Sequence, residues 1–128
     1  MEREKLHIPV LMLEWSQWVA WDRLILDARK KGGLRVPSGR PGVYEVKYAG
    51  ARERLTIGRA SNLRMRIKQG LVKGKVPHSA GKKIRGTERV SKLFVRWAVT
   101  ERRAAAEEEL HRRHRRRFGR LPKYVAHT

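Results

Sequence analysis

Hydrophobic and polar positions along the chain fall into two rhythms. Residues 42–48, GVYEVKY, alternate in the β manner, AGARER supplies a turn at Gly50, and LTIG (55–58) is a second short strand, so the pair predicts an antiparallel hairpin. LFVRWAVT (93–100) alternates most clearly, with Phe94, Arg96 and Ala98 on one face and Val95, Trp97 and Val99 on the other. A helical rhythm governs Leu63, Ile67 and Leu71, with Ser61 in place as N-cap. The last helix is predicted over ERRAAAEEELHRRHRRRF (101–118), capped by Thr100 and stopped by Gly119 and Pro122.

The first forty residues form an added layer. LHIPVLML suits a strand, and Ser16 suits the N-cap of a helix running to about Lys31, where Gly32-Gly33 stop it. Trp18, Trp21, Ile25 and Ala28 give that helix a core-facing stripe; the sharper alternative makes Trp15 or Trp21 an exposed platform for a nucleobase. LRVPSGRPG is a linker loop, GKVPHSAGKKIRG a mobile basic loop able to close over a phosphate backbone, and YVAHT a loose end. The fold class expected is α+β: a small three-stranded antiparallel sheet flanked by helices over residues 41–128, with an N-terminal helical extension over residues 1–40 (helix about 16–31).

Composition narrows the function. The 128 residues suffice for one domain with a real core. Lysine and arginine total 32 against 12 acids, a formal charge of +20 that attracts polyanions, nucleic acid foremost. Cysteine is absent, which removes disulfides, thiolate nucleophiles and cysteine zinc sites. The start MEREK is too acidic for a signal peptide and no apolar run reaches about 18 residues, so the expectation is a cytoplasmic protein with no membrane partner.

Some charges sit out of place. On the last helix Glu108 with Arg112 and Glu109 with Arg113 are ordinary i,i+4 pairs. Glu107 instead projects to the side of Ala104, Leu110, His114 and Phe118, the side that packs on the sheet, and a carboxylate there needs a cation or a metal. The bland alternative turns it toward Arg103 or His111. On the earlier helix Arg66 falls beside Leu63 and Gly70, whereas Arg64 and Lys68 turn away. A guanidinium so placed can grip a phosphate through two parallel hydrogen bonds, or serve a structural ion pair.

Gly42-Val43-Tyr44, then Thr56-Ile57-Gly58, then Asn62-Leu63 with Arg66, and finally Glu107 with Leu110 ahead of LPKY resemble the ordered motifs of the GIY-YIG nucleases over roughly residues 40–125. Thr56 stands where the family has tyrosine, Val125 where an asparagine is usual, and Gly70 where a histidine often follows the arginine; His78 is the nearby substitute. The resemblance implies a divalent ion, magnesium or manganese, held by Glu107, with Arg66 on the phosphate and Tyr44 as general base, its phenolate favoured by Arg66 and the metal. Arg59, Arg64, Lys82, Lys83 and Arg85 are the expected nucleic-acid contacts. A zinc pair of His111 and His114 lacks further ligands.

The function so implied is metal-dependent endonuclease action on DNA, with RNA as the other target, by a monomer or homodimer. The alternative is a catalytically inactive basic nucleic-acid-binding module on the same fold, suggested by Thr56 and Val125. A ribosomal or RNA-chaperone protein fits the charge but gives Glu107 no reason to face the core.

Overall fold

A computed structural model of the chain describes residues 12–26 and 35–125. It is an α+β fold in which an antiparallel sheet is flanked by helices. The sheet has four strands, β1 (Val19–Ala20), β2 (Gly42–Tyr48), β3 (Thr56–Ala60) and β4 (Leu93–Val99), in the order β1-β4-β2-β3. The predicted hairpin is β2–β3, turning at Gly50 with φ of 76°, and the third predicted strand is β4.

The fourth strand corrects the expectation of three, and it comes from the N-terminal extension. Ser16 does not cap a helix: its N–H donates to the Trp97 carbonyl (2.8 Å) and its Oγ accepts from the Trp97 N–H (3.0 Å). Backbone groups on the outer side of β4 needed partners, and this segment supplies them. Helix α1 therefore starts late, at Trp21–Leu26. Trp21 and Leu24 are buried while Ile25 is 43 % exposed, so the predicted stripe is displaced. Ala28, the Gly32-Gly33 stop and residues 6–11 of the predicted first strand lie outside the described residues.

The two faces of the sheet carry different cores. Tyr44, Val46, Val95 and Trp97 join Trp21, Leu24, Leu63, Ile67, Leu71 and Ile84 in the larger one. Burying each such aliphatic side chain is worth about 1.5–3 kcal/mol. Val43 and Ala98, on the opposite face, pack on Ala106 of helix α3 (Arg103–Phe118), with Leu110, Leu13 and Trp15 at the margin. Ala104 is exposed, contrary to expectation, because Ala106 is the residue that meets the sheet. Thr100 accepts from the Arg102 N–H (3.1 Å) in a turn before α3, and Gly119, at φ 75°, ends the helix.

The arginine-bearing segment is a π-helix, Met65–Val72. Asn62, not Ser61, tethers its start, its Oδ1 accepting from the Met65 N–H (3.3 Å) and the Gly39 N–H (3.1 Å). Winding wider than about 3.6 residues per turn brings a residue five positions on back to the same side. Lys68 thus falls on the side of Leu63 and is buried, a correction to its expected outward direction.

The basic stretch after Pro77 is helical too. It forms α2 (Ser79–Thr87), not a mobile loop, because His78 caps it: Nδ1 accepts the Gly81 N–H at 2.9 Å. Of the predicted loose end YVAHT, Tyr124 is tied down, and residues 126–128 lie outside the described residues. Tyr124 N–H donates to the Leu55 carbonyl (2.8 Å), and its hydroxyl joins those of Tyr48 and the Lys123 ammonium on Glu88. Those three donors hold the Glu88 carboxyl down at about 2.

Candidate functional site

Tyr44 lies on β2 directly opposite Gly58 of β3. A Cβ added at Gly58 would stand 2.4 Å from the Tyr44 hydroxyl, so the missing side chain is what lets the phenol reach the outer edge of the sheet. Gly42 is compelled as well: a Cβ there would stand 2.1 Å from the Ala98 carbonyl oxygen across the strand pair. Both motif glycines thus follow from close approach.

That edge opens into a cleft of about 450 Å³. Tyr44, Arg66, His78 and Glu107 all line it, drawn from β2, the π-helix, the cap of α2 and α3. Thr56, Arg59, His111 and Tyr124 share the wall. Ser79 and Ala80 place the first turn of α2 there, an end whose N–H groups and dipole favour an anion.

Hydrogen bonding fixes the state of His78. Its Nδ1 accepts from Gly81, so in the neutral ring Nε2 carries the hydrogen and donates to the Tyr44 hydroxyl oxygen at 2.7 Å. Burial, then the Arg66 and Arg85 charges, push the imidazole down to about 4, and it is neutral at pH 7. Gly70 makes room: a Cβ there would sit 3.2 Å from the His78 ring. The imidazole therefore occupies the space beside the position where a histidine side chain was missing from the π-helix.

Within the chain itself, burial dominates the Tyr44 phenol. Arg66 pulls its pKa down by charge and hydrogen bonding, but burial outweighs it, and with a smaller push from Glu107 the phenol stands at about 12. It is protonated at neutral pH. Having accepted from His78, it presents its own O–H to the cleft.

Glu107 is half-buried, its side chain 24 % exposed, and among the described residues its ion pair is with Arg59, not with Arg103 or His111. The facing cation is Arg59, whose Nε lies 3.8 Å from Oε1, beyond hydrogen-bond length. Beside its hydrogen-bonding interaction with Tyr44, Arg66 makes a long contact, 3.4 Å, from Nη1 to the Pro77 carbonyl. A carboxylate and a guanidinium thus face the same space without being neutralised by each other.

The expected nucleic-acid contacts divide. Arg59 is exposed at the cleft, and Lys82 and Lys83 are exposed on α2. Arg64 Nε donates to the Val36 carbonyl (2.8 Å), holding the linker. Arg85 is structural: Nη1 donates to the Gly70 and Leu71 carbonyls (2.8 and 2.6 Å), closing the π-helix, whose last carbonyls have no partner of their own. Tyr48, bonded to Glu88, stands away from the cleft.

Sequence reasoning missed two features. His111 Nε2–H donates to the Ile57 carbonyl (3.0 Å) and pins α3 to the edge strand; its place one turn after Glu107 was the available signal. Glu45 is buried on the other sheet face between Arg54 and Arg96, and Trp15 stacks on Arg96 at 4.0 Å instead of offering a free platform. Trp21 is fully buried. The His111–His114 pair is taken up as well: His114 accepts from the Arg54 N–H and donates to the Arg120 carbonyl. No helix among the described residues is long and apolar enough to cross a membrane. Comparison of the chain with protein-family models, curated proteins and solved structures finds no match.

Proposed function

We propose that the chain is a metal-dependent endonuclease of the GIY-YIG type, hydrolysing phosphodiester bonds of DNA. One observation carries this: a phenol, a guanidinium, an imidazole and a carboxylate from four separate segments line one cleft wide enough for a phosphodiester. The net charge of +20 supplies the attraction for the polyanion.

The donor set fits a small hard cation. Glu107 is the carboxylate lining the cleft, its nearest cation loosely placed at 3.8 Å. Magnesium is commonly held by one or two carboxylates, several waters and substrate phosphate oxygens, so a lone glutamate suffices. Among the described residues no group of three metal-ligating side chains gathers, which disfavours zinc. When bound, the ion supplies a Lewis acid at the phosphate oxygens.

The remaining work falls to the chain itself. Arg66 grips the scissile phosphate through its fork of N–H donors, and the first turn of α2 adds backbone donors to the same anion. His78 holds the Tyr44 hydroxyl by donating from Nε2, leaving the phenolic O–H directed at the attacking water or a phosphate oxygen. With its pKa at about 12 the phenol enters as a positioned acid, and it turns base only where further positive charge in the substrate complex lowers it.

A second reading, a basic binding module without catalysis, is favoured by Thr56, whose hydroxyl is spent on the Tyr124 carbonyl (2.8 Å). Incubation with supercoiled plasmid, with magnesium and then with chelator, separates the two. Nicking that stops on chelation is expected. Glu107→Ala and Arg66→Ala should each lower cleavage by about a thousandfold or more while duplex affinity stays within a few-fold. Binding without nicking in magnesium or manganese leaves the binding module; parallel loss of binding makes the two residues part of the grip.

A further inference from the structure

The other side of α3 holds a second cleft, of about 160 Å³, ringed by Arg52, Arg54, Arg96, Arg113 and Arg117 around the buried Glu45. Five guanidinium groups and, among the described residues, a single carboxylate, that of Glu45, line it. Glu45 Oε1 takes Arg54 (2.9 Å) and Arg96 (2.7 Å), and Arg113 reaches out of the cleft to Glu109 (2.9 Å), which Arg112 also holds. Among the described residues Arg52 and Arg117 have no carboxylate partner.

The ring is held in place before anything binds. Trp15 and Trp18 stack on Arg96 at 4.0 and 4.6 Å, Trp18 also meets Arg54, and His114 Nε2 fixes the Arg54 N–H to α3 at 3.3 Å. Like charges gathered on a rigid, partly apolar floor of Ile57 and Phe118 repel one another, and an anion of phosphate size relieves that repulsion.

We infer that this cleft is a phosphate subsite for the backbone of the nucleic acid whose scissile bond occupies the first cleft. Ile57 is a wall of both clefts, and one helix serves both, Glu107 in the first and Arg113 and Arg117 in the second. At about 1.5 Å per helical residue the two stand roughly 9–15 Å apart along α3. That separation exceeds the rise of about 3.4 Å per nucleotide along a duplex axis, so the subsite takes a phosphate other than the one in the first cleft. The assignment rests on the nucleic-acid reading of that cleft.

The test is duplex DNA binding by fluorescence anisotropy from about 50 to 200 mM salt. It compares the wild type, R52Q/R117Q and, as a control on α2, K82Q/K83Q. Both arginines are exposed, and a thermal melt confirms that the variant folds. The expected result for R52Q/R117Q is an affinity about tenfold lower with a log–log salt slope shallower by about one to two. Unchanged affinity and slope, while the wild type binds, would overturn the subsite and leave the nucleic-acid reading intact. No salt-dependent binding by the wild type would sink both. Inorganic phosphate supplies the third arm. If micromolar phosphate raised the melting temperature of the wild type but not of R52Q/R117Q, with duplex binding equal in the two, the ligand would be the free ion and the backbone assignment would fall.

Discussion

The two clefts share Ile57 and lie on the same helix, yet each uses its buried histidine differently. His78 spends one nitrogen on a backbone N–H and offers the other to a phenol. His114 spends both on backbone, accepting from Arg54 and donating to the Arg120 carbonyl at 2.7 Å. A histidine with both nitrogens on main chain is a structural clamp; one that hands a hydrogen to another side chain can position chemistry. The carboxylates differ in the same sense. Glu45 is locked between two arginines, whereas Glu107 has a single loose neighbour. Burial and partner count, more than residue type, separate the candidate reaction site from the charged scaffold beside it.

Substitutions can break this contrast, beginning with the largest effect. Tyr44→Phe keeps the ring over Gly58 and removes the hydroxyl; plasmid nicking should fall by about a thousandfold, while the unpaired His78 N–H costs about 1–3 kcal/mol in urea unfolding. Nicking within a few-fold of wild type would reduce Tyr44 to packing. The two histidines should then diverge. His114→Ala is expected to destabilise by about 2–3 kcal/mol, losing two hydrogen bonds and the contact with Phe118, with little change in rate per folded molecule. His78→Ala is expected to lower the rate about a hundredfold; equal rate losses in the two variants would erase the distinction.

The smallest effect is on pH dependence. His78 has a folded pKa of about 4 against 6.5, so the unfolded chain binds more protons in between. Its contribution is fully present above about 6.5 and is lost as pH falls toward 4. Glu88, at about 2 against 4.5, loses its contribution lower down, between those values. Urea midpoints across pH should therefore flatten in the upper window for His78→Gln and in the lower one for Glu88→Gln. A single window affected by both variants would show that these groups do not titrate separately.

Periodicity by itself determined the hairpin, β4 and the long helix ended by Gly119, because alternation and helical spacing are local properties of backbone geometry. It also marked Arg66 and Glu107 as misplaced charges, since burial of an ion is costly wherever it occurs. Other outcomes depended on distant partners. Ser16 looked like a cap until β4 offered a free edge, and the glycine-rich stretch looked like a loop until His78 capped it. Arg85 was indistinguishable from Lys82 and Lys83 in sequence, but the open carbonyls of the π-helix claimed its guanidinium. The direction of the Tyr44 pKa was likewise a tertiary matter. Within the chain itself Arg66 pulls that pKa down, while desolvation in the packed cleft, with a smaller push from Glu107, raises it to about 12.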